Sequence, residues 1–217
     1  MSQACFPDRL RLPLEFEPTL LAADMANFSR ETWIAHFVQQ NYDGDWSVIP
    51  LRGPASASHP VQMIYSDPSR SDYADTPMLA GSPYFQDVLL ALACPLLAVR
   101  LMRLTPGSVI KEHRDHDLAY EEGTVRLHIP VTTNEGVDFR LNGSRCPMPA
   151  GSTWYLRLSD PHSVANRGTE DRVHLVIDAV VNDWLTALFA RAAALPLAGL
   201  TGPRQPPSPS SPKAGRG

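Results

Sequence analysis

The chain has 217 residues, 43% of them hydrophobic and 19% charged, a balance that suits one globular domain with a sizeable core and excludes a disordered chain. Its 19 basic and 23 acidic residues leave a formal net charge of −4, which argues against a nucleic-acid binder built on a basic face. The longest apolar run, Val88 to Val99, is interrupted by Pro95 and is shorter than the roughly 20 residues of a membrane span. The opening MSQACFPDRLRL has no basic segment followed by an apolar stretch, so no secretory leader is expected. Cys5, Cys94 and Cys146 stand singly, in neither a disulfide nor a zinc spacing. These features predict a cytoplasmic protein with reduced thiols and no membrane or nucleic-acid partner.

Taken in chain order, Pro18 to Asp24 and then Phe28 to Gln39 read as helices, the second capped by Asn27 and presenting Trp33, Ile34 and Phe37 on one face. Trp46 to Leu51 and Val61 to Tyr65 read as strands that extend a sheet. Ser82-Pro83 opens a third helix through about Ala93, with serine as cap and proline first. The hydrophobic period then changes to two. Strands are predicted at Ala98 to Leu104, Val109 to His113, Val125 to Thr132, Val137 to Leu141, Thr153 to Leu158, Ser163 to Asn166 and Arg172 to Val180. Turn-forming segments such as TPGS, TNEG, LNGS and PAGS separate them. A fourth helix starts at Asn182-Asp183. Residues 201–217 form a Pro/Ser/Gly tail carrying Arg204, Lys213 and Arg216 but no acid, and read as disordered. Many short, evenly spaced strands predict a sandwich or double-sheet jelly roll.

Two strands carry unusual polar faces. In VRLHIPV, Val125, Leu127 and Ile129 share one side and Arg126 and His128 the other. RVHLVIDAV repeats the pattern, with Arg172, His174, Val176 and Asp178 on one side. Such faces line a polar cavity between sheets or meet solvent, and the pattern alone does not choose. The segment EHRDHD adds His113 and Asp115, two apart and therefore on one side of extended backbone. Joined by a histidine from a distant strand, a His-x-Asp pair makes the 2-His-1-carboxylate site of non-haem Fe(II) oxygenases. His162, in PHSVANRG, is the best candidate for that third ligand. Arg172 follows ten residues later across a turn, where a guanidinium could clamp a co-substrate carboxylate. His116 and Asp117 form an alternative pair, but adjacent residues on a strand point oppositely. His174 either orients a co-substrate or is a satisfied inner-face histidine. His36 and His59 read as structural or surface residues. Of Trp154 and Tyr155, one is expected in the core and the other on a pocket wall. At most one of Arg100 and Arg103 can reach a pocket, and Asn166 is expected to brace its hairpin.

The blocks GDWSVIPLR, SPYF, VRLMRLTPGSVIKEHRDHDL, GTVRLHIPVTTN, PAGSTWYL and PHSVANRGTEDRVHLVIDAVVNDWL resemble, in this order, the aspartyl/asparaginyl/proline hydroxylase family of Fe(II)- and 2-oxoglutarate-dependent oxygenases. The resemblance implies a mainly β double-stranded β-helix core, jelly-roll and cupin-like, with flanking helices. It implies one oxygenase domain over residues 1–200, with a helical N-terminal part about 10–95, the jelly-roll core about 97–181 and a C-terminal helix about 182–194. His113, Asp115 and His162 would be the iron ligands, Arg172 the clamp on 2-oxoglutarate, and Arg126 and His128 a further carboxylate-holding pair, for co-substrate or substrate. O2 would be the oxidant, and ascorbate would serve as reductant in vitro. The family's peptide aspartyl/asparaginyl hydroxylases carry glycine where this chain has Asp115. Keeping the carboxylate makes the chain look more like the branch that hydroxylates free L-proline in the cis configuration. The expected reaction is hydroxylation of an unactivated C–H of a free amino acid. The alternatives are β-hydroxylation of an Asp or Asn residue in a peptide, protein or carrier-bound substrate, and a metal-binding jelly roll without catalysis.

Overall fold

Alternating apolar and polar strand faces need partners on both sides, and the chain supplies them as two sheets with helices outside. The computed structural model describes residues 5–57, 59–64, 70 and 72–195. The N-terminal part contains strand β1 (Arg9–Glu15), helix α1 (Pro18–Ala26), short strands β2 (Ile34–Ala35) and β3 (Tyr42–Asp43), and strand β4 (Trp46–Pro54). Helix α2 (Pro60–Ile64), strand β5 (Tyr73–Asp75) and helices α3 (Pro77–Ala80) and α4 (Pro83–Leu90) follow. The remainder is β6 (Leu96–Leu104), β7 (Val109–His113), β8 (Thr124–Thr132), β9 (Val137–Leu141) and β10 (Ser144–Arg145). It closes with β11 (Ser152–Leu156), β12 (His162–Asn166), β13 (Arg172–Val180) and helix α5 (Asp183–Ala194).

The large sheet runs β1-β11-β8-β13-β6-β4-β2, with β5 on β4, and the small sheet runs β10-β9-β12-β7-β3. All pairings are antiparallel. From β6 to β13 the chain passes back and forth between the sheets, which is the jelly-roll path. Among the described residues no helix is long and apolar enough to cross a membrane.

The face carrying Val125, Leu127, Ile129, Leu175 and Ile177 packs outward, against Leu21 of α1, Phe85 and Val88 of α4 and Leu188 and Phe189 of α5. That leaves Arg126, His128, Arg172 and His174 turned inward between the sheets. A second apolar cluster shares that space, with Met102, Leu104, Phe139, Leu141, Trp154 and Val176.

Several expectations are corrected. Residues 28–39 are not a helix but 3₁₀ turns at Arg30–Thr32 and Gln39–Asn41 around strand β2. Tertiary contacts override the helical spacing here. β2 pairs with β4, the Arg103 guanidinium sits 4.5 Å over the Trp33 ring, and His36 stacks on Trp46. Asn27 is the C-cap of α1, not the cap of a second helix; Glu17 caps α1, its carboxylate accepting from the Thr19 amide. The expected strand over 61–65 is helix α2 as far as Ile64, opened by a proline that suits a first helical turn, and Tyr65 lies outside the described residues. The N-terminal part, expected to be helical, also contributes β1 and β4 to the large sheet. α4 ends at Leu90, and Ser82 holds its N-cap position without capping it, its hydroxyl donating to the Met78 carbonyl. At α5 the Asn182 side chain accepts from the Leu185 amide at 3.0 Å, as a cap should. The 201–217 tail lies outside the described residues.

Candidate metal and carboxylate site

β7 and β12 are neighbours in the small sheet, and their register sets His113 opposite His162. The register shifts beyond His162, an irregularity of the kind that re-aims a side chain at a sheet's edge. Each ring is oriented by the carbonyl two residues before it in the chain. Nδ1 of His113 lies 2.7 Å from the Lys111 carbonyl, and Nδ1 of His162 lies 3.0 Å from the Asp160 carbonyl. A carbonyl can only accept, so in the neutral form each ring carries its proton on Nδ1 and offers its Nε2 lone pair. Asp115 brings Oδ1 to 3.7 Å from His113 Nε2, while its Oδ2 accepts from Arg126 Nη1 at 2.6 Å. One donor atom from each of His113, Asp115 and His162 lies within 4.8 Å of the others. Two imidazole nitrogens and one carboxylate oxygen suit Fe(II) in a three-ligand site with positions left open, and the carbonyl contacts fix the tautomers that a metal needs. Burial pushes His162 down to about 4, which keeps it in the ligating form at neutral pH. His116 and Asp117 line the same cavity but are exposed, outside the cluster.

The cavity has a volume of about 320 Å³. At its inner end lies Arg172, 2% exposed, with no carboxylate in ion-pair range among the described residues. Burial pushes this guanidinium down to about 9, so it remains a cation at pH 7. Its Nε has no partner, and its Nη2 donates to His174 Nδ1 at 2.9 Å. His174 Nδ1, an acceptor there, also lies 3.4 Å from His128 Nδ1, which must therefore carry the hydrogen. His128 Nε2 is left buried and without a partner. Burial, with Arg172 adding to it, holds both histidines well below the ordinary imidazole value. A buried cation without a counter-ion, with its Nε–H free, suits an anionic ligand, while His128 Nε2 is an acceptor.

Arg126 is engaged on all three nitrogens by protein carboxylates. Nε and Nη2 donate to Asp178 at 2.6 and 2.9 Å, and Nη1 donates to Asp115. Burial works against its charge, but Asp178 and Asp115 outweigh that and raise its pKa. Asp178 is fully buried and also accepts from Arg100 Nη2 at 2.9 Å. Arg100, 1% exposed, lines the cavity and keeps Nε and Nη1 without partners. Of the arginine pair on β6, Arg100 therefore faces the cavity, while Arg103 faces away and bonds to Ser47. His36 is also a wall residue: it is 7% exposed and stacks on Trp46 with ring centroids 3.6 Å apart. Burial, reinforced by Arg100 and Arg126, pushes it down to about 3.

The remaining candidates fall outside the cavity. Trp154 and Tyr155 are both core residues, and the Tyr155 hydroxyl accepts from the Tyr120 amide. Asn166 braces its hairpin as expected, donating to the Leu104 and Glu170 carbonyls and accepting from the Gly168 amide. His59 is an exposed loop residue. The sequence reading did not single out Asp178 as a site residue, although it shares a strand face with Arg172 and His174. Nor did it place His36 at the site, because it set that residue on a helix.

A family model described as Aspartyl/Asparaginyl beta-hydroxylase matches residues 20–181. The chain is 25% identical over 171 residues to an L-proline cis-4-hydroxylase of Rhizobium meliloti (strain 1021), a match covering 76% of this chain and 58% of that protein's length. Among solved structures it is similar to a Pseudomonas putida prolyl-4-hydroxylase, with 14% identity, 81% and 93% of the two chains covered and a TM-score of 0.48. It is also similar to a viral collagen prolyl hydroxylase of Paramecium Bursaria Chlorella virus-1 in complex with 2OG, with 9% identity, coverage of 80% and 97%, and a TM-score of 0.46.

Proposed function

The chain belongs to the aspartyl/asparaginyl β-hydroxylase family of Fe(II)/2-oxoglutarate hydroxylases, and on that premise we propose that it hydroxylates a C–H of a small free amino acid such as L-proline. The observation that carries this reading is Arg100: a buried guanidinium with two unpartnered nitrogens in the cavity wall, apart from the vacancy at Arg172. The cation at Arg172, without a counter-ion, suits the tail carboxylate of 2-oxoglutarate, and the two free nitrogens of Arg100 suit a carboxylate on the substrate. Charge supports the same division. Three guanidiniums, Arg100, Arg126 and Arg172, are set against the two carboxylates Asp115 and Asp178. Fe(II) and a 2-oxoglutarate dianion cancel, which leaves one positive charge for a substrate carboxylate. The cavity, at about 320 Å³, stands near the small end of the roughly 300–1,000 Å³ range of ligand pockets. It must take co-substrate and substrate together. The match to an L-proline cis-4-hydroxylase agrees with a substrate of that size.

In this reading His113, Asp115 and His162 hold the iron, which when bound supplies O2 activation and the oxidising power for the C–H bond. Arg172 binds the tail carboxylate of 2-oxoglutarate, and His128, its Nδ1 directed at His174 Nδ1, steadies the histidine that holds Arg172. Arg100 fixes the substrate's carboxylate, and the stacked His36 and Trp46 form a flat wall against its apolar part. These residues perform positioning: they hold one C–H toward the metal and keep other oxidisable groups away.

The test is succinate release by the Fe(II)-loaded protein with 2-oxoglutarate, ascorbate and air. Free amino acids are compared with the same residues blocked as carboxamides and with Asp- and Pro-containing peptides. The expected result is stimulation by a free amino acid and at least a tenfold loss with its carboxamide. Stimulation by internal peptide residues alone would overturn the free-amino-acid reading in favour of a peptide or carrier-bound substrate.

A further inference from the structure

Asp178 occupies β13, the strand between β8 and β6 in the large sheet. Its direct cross-strand partner on β8 is Arg126, and on the other flank Arg100 pairs with Val176, one inward-facing position earlier. The carboxylate is fully buried and accepts hydrogen bonds from both arginines. Oδ1 takes Arg126 Nε at 2.6 Å, and Oδ2 takes Arg126 Nη2 and Arg100 Nη2, each at 2.9 Å. From Arg126 the connection continues through Nη1 to Asp115 Oδ2 at 2.6 Å. We infer that Asp178 is a positioning residue that joins two sites: through Arg126 it fixes the orientation of the metal-binding carboxylate of Asp115, and through Arg100 it aims two free nitrogens, Nε and Nη1, at the substrate.

The chemistry of the bridge is specific. Two buried guanidiniums repel, and a shared carboxylate both neutralises one charge and sets the rotation of each planar fork. With its Nη2 tied to Asp178, Arg100 has Nε and Nη1 left for a ligand. With Nε and Nη2 tied down, Arg126 has Nη1 aimed at Asp115, so Asp115 turns Oδ1 rather than Oδ2 toward His113. Substituting asparagine keeps the shape but offers one acceptor oxygen and sets an NH2 donor against an arginine N–H. The fork then swings, and Asp115 loses its restraint.

This inference rests on the proposed metal site, and the experiment separates the two. Metal-stripped protein is titrated with Co(II), without 2-oxoglutarate, by visible absorption. Asp178→Asn is expected to weaken Co(II) binding about 10- to 100-fold, the usual effect of removing a partner behind a ligand. Arg126→Gln is expected to do the same, and the double variant to be no weaker than the poorer single one, because both act through one path. At saturating Co(II), the affinity of Asp178→Asn for 2-oxoglutarate is expected to stay within about threefold of wild type, since Arg172 does not contact the bridge; a general structural defect would not spare it. Wild-type Co(II) affinity in Asp178→Asn, or additive losses in the double variant, would overturn the inference. Should Asp178→Asn fail to fold, unchanged Co(II) affinity in Arg126→Gln would overturn it equally. Co(II) binding that survives His113→Ala and Asp115→Ala would instead remove the metal-site reading, and the bridge with it.

Discussion

At the scale of single residues, the buried charges of the cavity are paired except for one, Arg172, which has no carboxylate in ion-pair range among the described residues. Arg172 is a cation in a low-dielectric pocket without a carboxylate, a state that costs stability unless a ligand anion relieves it. Arg172→Gln removes the proposed clamp while leaving the candidate metal ligands intact. Truncating one side of a buried charge pair costs about 2–5 kcal/mol, so the KM for 2-oxoglutarate should rise about 30-fold or more with a smaller change in kcat at saturation. An unchanged KM would assign the vacancy another role. His36 makes a second prediction. Its folded value of about 3 lies below the value of about 6.5 in an unfolded chain. Below about pH 6.5 the unfolded state therefore binds a proton that the folded state refuses, and stability falls as the pH drops toward 3. One such group contributes about 1.4 kcal/mol per pH unit. His36→Phe keeps an aromatic stack on Trp46 and should flatten the fall in unfolding free energy between pH 6 and pH 4 by about that slope. Parallel curves for the variant and wild type would mean that His36 is not buried in the neutral form.

At the scale of elements, alternation on β8 and β13 explains both the core and the site. Leu127 is fully buried under the helical layer, and Leu127→Ala should cost about 2–5 kcal/mol in urea unfolding. Asn182→Ala, which removes the cap of α5 and a partly exposed hydrogen bond to the Ala93 carbonyl, should cost about 1–2 kcal/mol. A reversed ranking would contradict the packing described for the outer face. Much of this was legible beforehand: β7, β9 and β13 match their expected limits, and the Arg126/His128 and Arg172/His174 faces turn inward, one of the two outcomes that the pattern left open. Period two tells which residues share a face but not which face the helices cover, so Arg100 and Arg103 stayed indistinguishable until α1, α4 and α5 were placed. The 28–39 segment misled for a different reason. Its Trp33, Ile34 and Phe37 fit a helical stripe, yet contacts from Arg103, Val48 and Trp46, remote in sequence, hold it extended. His36 was thereby missed as a wall residue. Asp178 was hidden because an acid near a strand's end looks ordinary until both flanking arginines are known.

At the scale of the molecule, metal binding should couple to folding. His113 and Asp115 lie at and beyond the end of β7, and His162 at the start of β12, so a metal would cross-link two strands of the small sheet. A ligand at 100 times its Kd adds about 2.7 kcal/mol to stability. Mn(II) or Co(II) should therefore raise the Tm of the apo-protein, EDTA should reverse the effect, and Asp115→Ala should abolish it; a shift that persists in the variant would place the metal elsewhere. The two layers divide the work. The large sheet, braced by helices, carries Arg100 and Arg172, proposed to bind ligand carboxylates, and the Arg126–Asp178 pair, while the small sheet carries both candidate histidine ligands. Substrate and co-substrate would meet the metal between the two.

The most direct measurement of the central claim is turnover under 18O2, with Fe(II), 2-oxoglutarate and the amino acid that best stimulates succinate release, read by mass spectrometry. The account predicts one labelled oxygen in succinate and a labelled hydroxyl in the amino-acid product, both lost in Asp115→Ala and strongly reduced in Arg100→Gln. Decarboxylation that no carboxylate-bearing amino acid accelerates, or a product hydroxyl free of label, would contradict it.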